Sequence, residues 1–230
     1  MTKTSLCLIT AAAAALVACS PIERSRDLAN PKVPAATLAE QVCSNCHGQG
    51  GHAVSPNFPN LAGQTAPYLA AQLSQFKRHS RQDPAGYEYM WGLSRSLSDG
   101  QIQGLADYYA EQQPQAQPLE GDASRLQAGK LVFDNGVPGK NIPACAACHG
   151  AQAQGQAAMP RLAGQHADYL IKQLMVFQRS DDRPEGSIMK TVAHDLTPEN
   201  ILDVTSYLQS LPASKDVAAA VDSSHVPATK

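Results

Sequence analysis

The chain contains Cys-x-x-Cys-His twice: Cys43-Ser44-Asn45-Cys46-His47 and Cys145-Ala146-Ala147-Cys148-His149, each followed by a Gly. Residues three and four apart lie on one face of a helical turn. Each motif therefore presents two thiols and an imidazole together, and the fold must build that arrangement twice. Composition narrows the choice further. Aromatic residues make up only 5% of the 230 residues, so two small domains would have thin cores. Small domains bury too little surface to be stable without a metal, a cofactor or a covalent staple. The net charge of -2 gives no electrostatic argument for nucleic acid.

The other two cysteines lie near the N-terminus. Lys3 is the only charge before a short apolar run from Leu6 to Ala18, which has the form of a secretory signal and is too short to span a bilayer. The run ends Leu16-Val17-Ala18-Cys19 and resembles a bacterial lipobox, with Cys19 as the acylated first residue of the mature protein; an ordinary signal with an incidental Cys is the alternative. Without Lys3 the chain has 17 positive and 20 negative groups. Four cysteines remain for the mature fold. In an exported protein they could form disulfides, and two pairs could hold zinc, but neither explains a His directly after each pair. Covalent attachment of c-type haem does. Two Cys on one turn reach the two vinyl groups of a porphyrin, and the His points at the iron. Cys43, Cys46 and His47 are expected to hold one haem, and Cys145, Cys148 and His149 a second.

An internal repeat points to the sixth iron ligand. Phe58 to Phe76 matches Met159 to Phe177 at an offset of 101, and the stretch from Met90 matches that from Met189 at an offset of 99. Met90 and Met189 each lie seven residues before a Leu, Leu97 and Leu196, and they are the only Met pair at matched positions. A single Met is ordinarily core filler. A Met repeated downstream of a repeated haem motif is expected to be an axial ligand. His52, His79, His166, His194 and His225 have no repeat partners, which leaves bis-His ligation as the minority alternative and makes each of them an ordinary surface or capping residue.

With these motifs in place the chain resembles class I cytochromes c in tandem, and in particular the di-haem cytochrome c4 family, over about residues 36–212. The resemblance rests on the two haem motifs, the repeated Leu-Ala-Gly-Gln segments and the two Met. It implies an all-α fold of two tandem class I cytochrome c domains, each wrapped around a covalent haem. It also implies that the carbonyls of Pro59 and Pro160 accept the second ring N–H of His47 and His149 and so orient them; a plain turn is the alternative. The first half departs from the pattern: Leu38 and Ala39 stand where a Gly often lets the first helix cross the last, whereas the second half has Gly129 and Phe133.

Helix signals agree with that fold. Ser98 and Gln101 form a capping box ahead of Ile102, Leu105, Ala106 and Tyr109; Thr197 and Pro198 open a second stripe of Ile201, Val204, Thr205 and Leu208. Leu69, Leu73 and Phe76 form a third stripe, which Leu170, Leu174 and Phe177 repeat. The expected organisation is a lipoprotein-type signal peptide at 1–18, a tether at 19–35, a first haem domain at 36–111 and a polar, Pro-rich linker at 112–124. A second haem domain at 125–212 and a disordered tail at 213–230 complete it. The linker is expected to leave the domains independent.

Iron closed by His and Met has no open position for a substrate, so the expected function is electron transfer without catalysis. The resemblance implies a periplasmic carrier, membrane-anchored through Cys19. It would pass electrons from a quinol-oxidising complex or a dehydrogenase to a terminal oxidase, with redox proteins rather than nucleic acid or a small substrate as partners. The alternatives are a cytochrome subunit of a larger dehydrogenase and a di-haem peroxidase-type enzyme, which would need one displaceable ligand.

Overall fold

Two helical units follow one another along the chain. The computed structural model describes residues 26–118 and 121–212; the segments carrying the expected signal peptide, Cys19 and the C-terminal tail lie outside the described residues. In the first unit, α1 (Ala35–Leu38) runs through a π-helical turn (Ala39–Cys43) into α2 (Ser44–His47), which carries the end of the first motif. Then come α3 (Ala66–Lys77), a second π-helical turn (Gly86–Met90), α4 (Trp91–Ser94) and α5 (Asp99–Glu111). The second unit has α6 (Ala123–Asn135), α7 (Ala146–His149) at its motif, α8 (Ala167–Arg179), α9 (Ser187–Ala193) and α10 (Pro198–Ser210). Among the described residues there is no strand, only the isolated bridges Val137 to Ile142 and Gln156 to Met159.

Local chemistry sets the last helix of each unit. Ser98 accepts from the Gln101 amide while the Gln101 side chain accepts from the Ser98 amide, so two otherwise orphaned donors are satisfied at the start of α5. Thr197 and Asn200 do the same at α10, with Pro198 at the first helical position. The stripes behind these caps are buried. Ile102, Leu105, Ala106 and Tyr109 join Leu38 and Leu69 in the first core; Ile201, Val204 and Leu208 join Phe133, Leu170 and Phe177 in the second. In the second unit α10 crosses α6 closely, because a Cβ on Gly129 would lie 2.0 Å from the Asp203 carbonyl oxygen.

Two expected boundaries are corrected. The tether does not extend to residue 35. Val33 is 1% exposed within the first core, Leu28 packs against that core, and the Asn30 and Val33 carbonyls accept from Gln101 Nε2 at 2.9 and 3.3 Å. The capping glutamine thus also holds the entering chain. The linker is neither free nor as long as expected. Asp122 caps α6 by accepting from the Arg125 amide at 2.9 Å, so the helix starts at Ala123. Before it, Pro118 accepts from Gln209 Nε2 at 2.8 Å, and Pro114 packs so closely over Gly63 that a Cβ there would meet its ring at 2.7 Å.

Nor are the two units independent. Arg81 and Asp83, 3% and 1% exposed, form a paired fork with N–O distances of 2.7 and 3.1 Å. Arg81 also donates to Gln72 on α3 and to Gln173 on α8 of the other unit. Arg183 repeats the arrangement from the second side, donating to Glu185, to Gln173 and across to Gln72. Each guanidinium sits 4.6 Å over a ring of its own unit, Phe76 or Phe177. The result is a pseudo-two-fold polar seam in which the buried charges are paired and hydrogen-bonded, as burial requires.

Candidate haem sites

Each motif histidine is buried and fixed by the same geometry. In the first unit α2 ends at Gly48, whose φ of 73° turns the chain away just after His47. His47 is 9% exposed, and its Nδ1 lies 3.0 Å from the Pro59 carbonyl oxygen. In the second unit His149 is 6% exposed, Gly150 has φ 84°, and Nδ1 lies 2.9 Å from the Pro160 carbonyl oxygen. A carbonyl only accepts, so each Nδ1 carries the proton and each Nε2 keeps its lone pair. Burial holds both imidazoles below the ordinary histidine range, the carbonyl bond opposing it, which favours the neutral form that ligates metals.

The motif cysteines lie beside these histidines and form no disulfide with one another. Cys43 and Cys145 are half-buried at the cores, while Cys46 and Cys148 are exposed. Burial raises the Cys43 thiol and pushes that of Cys145 up to about 11. An open groove of about 180 Å³ adjoins Cys46, lined in part by Gly48, Val54 and Phe58. Met90 is half-buried at the end of its π-helical turn, and Ser94 Oγ donates to its carbonyl at 2.6 Å. Met189, on α9, packs against the second core together with Cys145. Among the described residues no hydrogen bond links either Met to the motif of its own unit. Around these positions apolar side chains stand exposed: Val54, Tyr87, Tyr89 and Leu93 in the first unit, Ile188 next to Met189 in the second. Paired thiols, an imidazole with one free nitrogen, a soft thioether and uncovered apolar surface together fit a covalently attached haem in each unit.

The sequence profile of the cytochrome c family matches residues 33–112 and again 126–212. A cytochrome c-552 of Acidithiobacillus ferridurans is 37% identical over 190 residues, 82% of this chain and 82% of the relative. The solved structure of a cytochrome c4 from Acidithiobacillus ferrooxidans superposes with a TM-score of 0.68 at 40% identity, covering 74% of this chain and 98% of that one. The chain belongs to the cytochrome c4 family. It carries two c-type haems, one for each motif, and is a di-haem electron carrier. A further relative, 34% identical over 77% of this chain and 82% of its own length, is a thiosulfate dehydrogenase electron acceptor of Thiomonas intermedia.

Beside the two sites of this cytochrome c4 relative, the structure places polar residues that motif reading passed over. His166 is not a surface residue: it is 6% exposed at the seam, with Nε2 2.9 Å from the Ala53 carbonyl oxygen of the first unit. Gln64 and Gln165 are buried and reach across the seam, as do Gln72 and Gln173. Both Gln pairs recur at the same offset of 101 as the rest of the repeat. A polar residue repeated within an apolar stripe, as Gln72 is between Leu69 and Phe76, is the signal that would have found them.

Proposed function

We propose that the four motif cysteines form the thioether bonds of the two haems, that His47 with Met90 and His149 with Met189 are the axial ligands, and that Pro59 and Pro160 orient the histidines through their carbonyls. The observation that carries this reading is the duplicated geometry of a buried histidine whose Nδ1–H is given to a proline carbonyl, leaving Nε2 for iron. The haem supplies reversible one-electron chemistry at its iron. The chain supplies two closed coordination spheres, so each site accepts and releases one electron and binds no substrate. His and Met together raise the potential relative to two histidines.

The cellular role follows as part of the same proposal. The signal-like N-terminus and Cys19 support export to the periplasm and a lipid anchor there. Among the described residues no helix is long and apolar enough to cross a membrane. The carrier would take electrons from a quinol-oxidising complex or a dehydrogenase and deliver them to a terminal oxidase. The relative that accepts electrons from a thiosulfate dehydrogenase favours a second version, in which the donor is a periplasmic dehydrogenase for a small inorganic or organic reductant. The matched pair Met90 and Met189 argues against a peroxidase-type enzyme, which needs one labile ligand.

One preparation of the mature holoprotein tests these points together. The oxidised protein should show the weak near-infrared band of sulfur-to-iron charge transfer from both haems. The reduced protein should leave carbon monoxide unbound and should be oxidised by a purified terminal oxidase. Rapid carbon monoxide binding at one haem, or no near-infrared band, would overturn the carrier reading. Cys19→Ser should move the protein from membranes to the soluble periplasmic fraction; an unmodified, already soluble native protein would remove the anchor.

A further inference from the structure

The proline carbonyl that holds each motif histidine belongs to a peptide group whose other end is gripped by the opposite unit. The Pro59 oxygen accepts from His47, and the same peptide's N–H, that of Asn60, donates to Gln165 Oε1 at 2.8 Å. Gln165 Nε2 donates back to the Asn60 carbonyl at 2.9 Å, and Asn60 Nδ2 donates to the Gly164 carbonyl at 3.1 Å. The mirror arrangement holds on the other side. The Pro160 oxygen accepts from His149, and the Arg161 N–H of that peptide donates to Gln64 Oε1 at 2.7 Å. Gln64 Nε2 returns to the Arg161 carbonyl at 2.9 Å. Gln64 and Gln165 are each 6% exposed, so these bonds lie largely out of bulk solvent.

Peptide resonance couples the two ends of such a group. A bond accepted from its N–H moves electron density onto its carbonyl oxygen, and chains of hydrogen bonds polarise one another most in a low-dielectric interior. A stronger carbonyl acceptor draws the Nδ1 proton of the histidine and makes Nε2 the more basic ligand. We propose that Gln165 and Gln64 are positioning residues that act across the seam: each strengthens the proline carbonyl on the opposite unit's motif histidine and so lowers the reduction potential of the opposite haem. Docking of the units thereby sets the ligand strength at both irons. The inference rests on His47 and His149 being iron ligands, as proposed above.

The test uses the full holoprotein. Hyperfine-shifted His47 and His149 ring protons in the oxidised native protein establish ligation first; their absence would defeat the ligand assignment before any variant is made. Gln165→Leu should then move the His47 Nδ1–H resonance of the reduced protein upfield and raise the potential of the first haem, leaving the second in place. Gln64→Leu should do the same to His149 and the second haem. Gln165→Glu, which keeps an acceptor oxygen for the Asn60 N–H, should keep the His47 resonance at or downfield of its native position. Simple loosening of the seam would admit water, favour oxidised iron and lower potentials, the opposite sign. An unmoved His47 proton, a shift confined to the variant's own unit, or a fall in potential in Gln165→Leu would overturn the proposal.

Discussion

In the proposed ligation, Met90 and Met189 set the potential of the two irons through one sulfur atom each. A thioether is soft and favours the reduced state of iron, whereas a second imidazole is a stronger donor to the oxidised state. Met90→His is therefore expected to keep its haem low-spin, remove that haem's near-infrared band and lower its potential, with Met189→His doing the same at the other site. Met159 and Met175 are the controls. Met159 is more than a third exposed beside Pro160, and Met175 lies on α8 at the position matched by Ser74, so neither is repeated. Met159→Leu and Met175→Leu should leave both absorption spectra and both potentials unchanged; a lost band in either would reassign the ligand. The motif residues were legible in the sequence because covalent chemistry fixes their spacing. The proline carbonyls came only through family resemblance, since a carbonyl leaves no mark on residue identity.

Helices show where local rules carry far and where packing takes over. The caps of α5 and α10 and their buried stripes follow from side chains within one turn of each other, so the sequence was enough. The close crossing was legible only in the second unit. There Gly129 on α6 meets Asp203 on α10; in the first unit the small residue has moved to the last helix, where a Cβ on Gly104 of α5 would lie 2.8 Å from the Ala35 Cβ. Gly104 and Asp203 are equivalent in the repeat at the offset of 99, so the same crossing is relieved from opposite helices. The π-helical turns at Ala39–Cys43 and Gly86–Met90 had no sequence signal either. Gly129→Ala should place its methyl against backbone that cannot yield and destabilise the holoprotein by about 1–3 kcal/mol. Gly104→Ala should cost less, because its methyl would meet one atom, the Ala35 Cβ at 2.8 Å, where that of Gly129 would meet the Asp203 carbonyl oxygen at 2.0 Å. Thermal unfolding compares the two, and an equal or reversed order would refute the account.

The whole molecule is held as one by a seam that composition alone could not disclose. A chain with 17% charged residues gives no hint of which of them the seam buries; Arg81 and Asp83 pair within one loop of the first unit, and Gln173 of the other unit hydrogen-bonds to both. Burial alone would raise the Asp83 carboxyl. The hydrogen bond and charge of Arg81, with Arg183 adding to them, outweigh it and hold the group below the ordinary carboxylate range. A folded-state value below the unfolded one means that Asp83 contributes its full stabilisation above the ordinary value of 3.8 and loses it as the pH falls through the lower folded value. Above pH 5 the two units should therefore unfold in one transition, and below about pH 4 the transition should weaken and then split. Asp83→Asn removes the charge and leaves Arg81 buried without its carboxylate, which costs about 3–5 kcal/mol for pairs of this kind. The variant should show at neutral pH the separated unfolding that the native protein shows only in acid, with both haems still attached by mass. Denaturant titrations followed separately at the two haem bands measure this. A single native-like transition in Asp83→Asn at neutral pH would mean that the seam is held by the glutamine and backbone bonds, and that the buried ion pair serves only to align them.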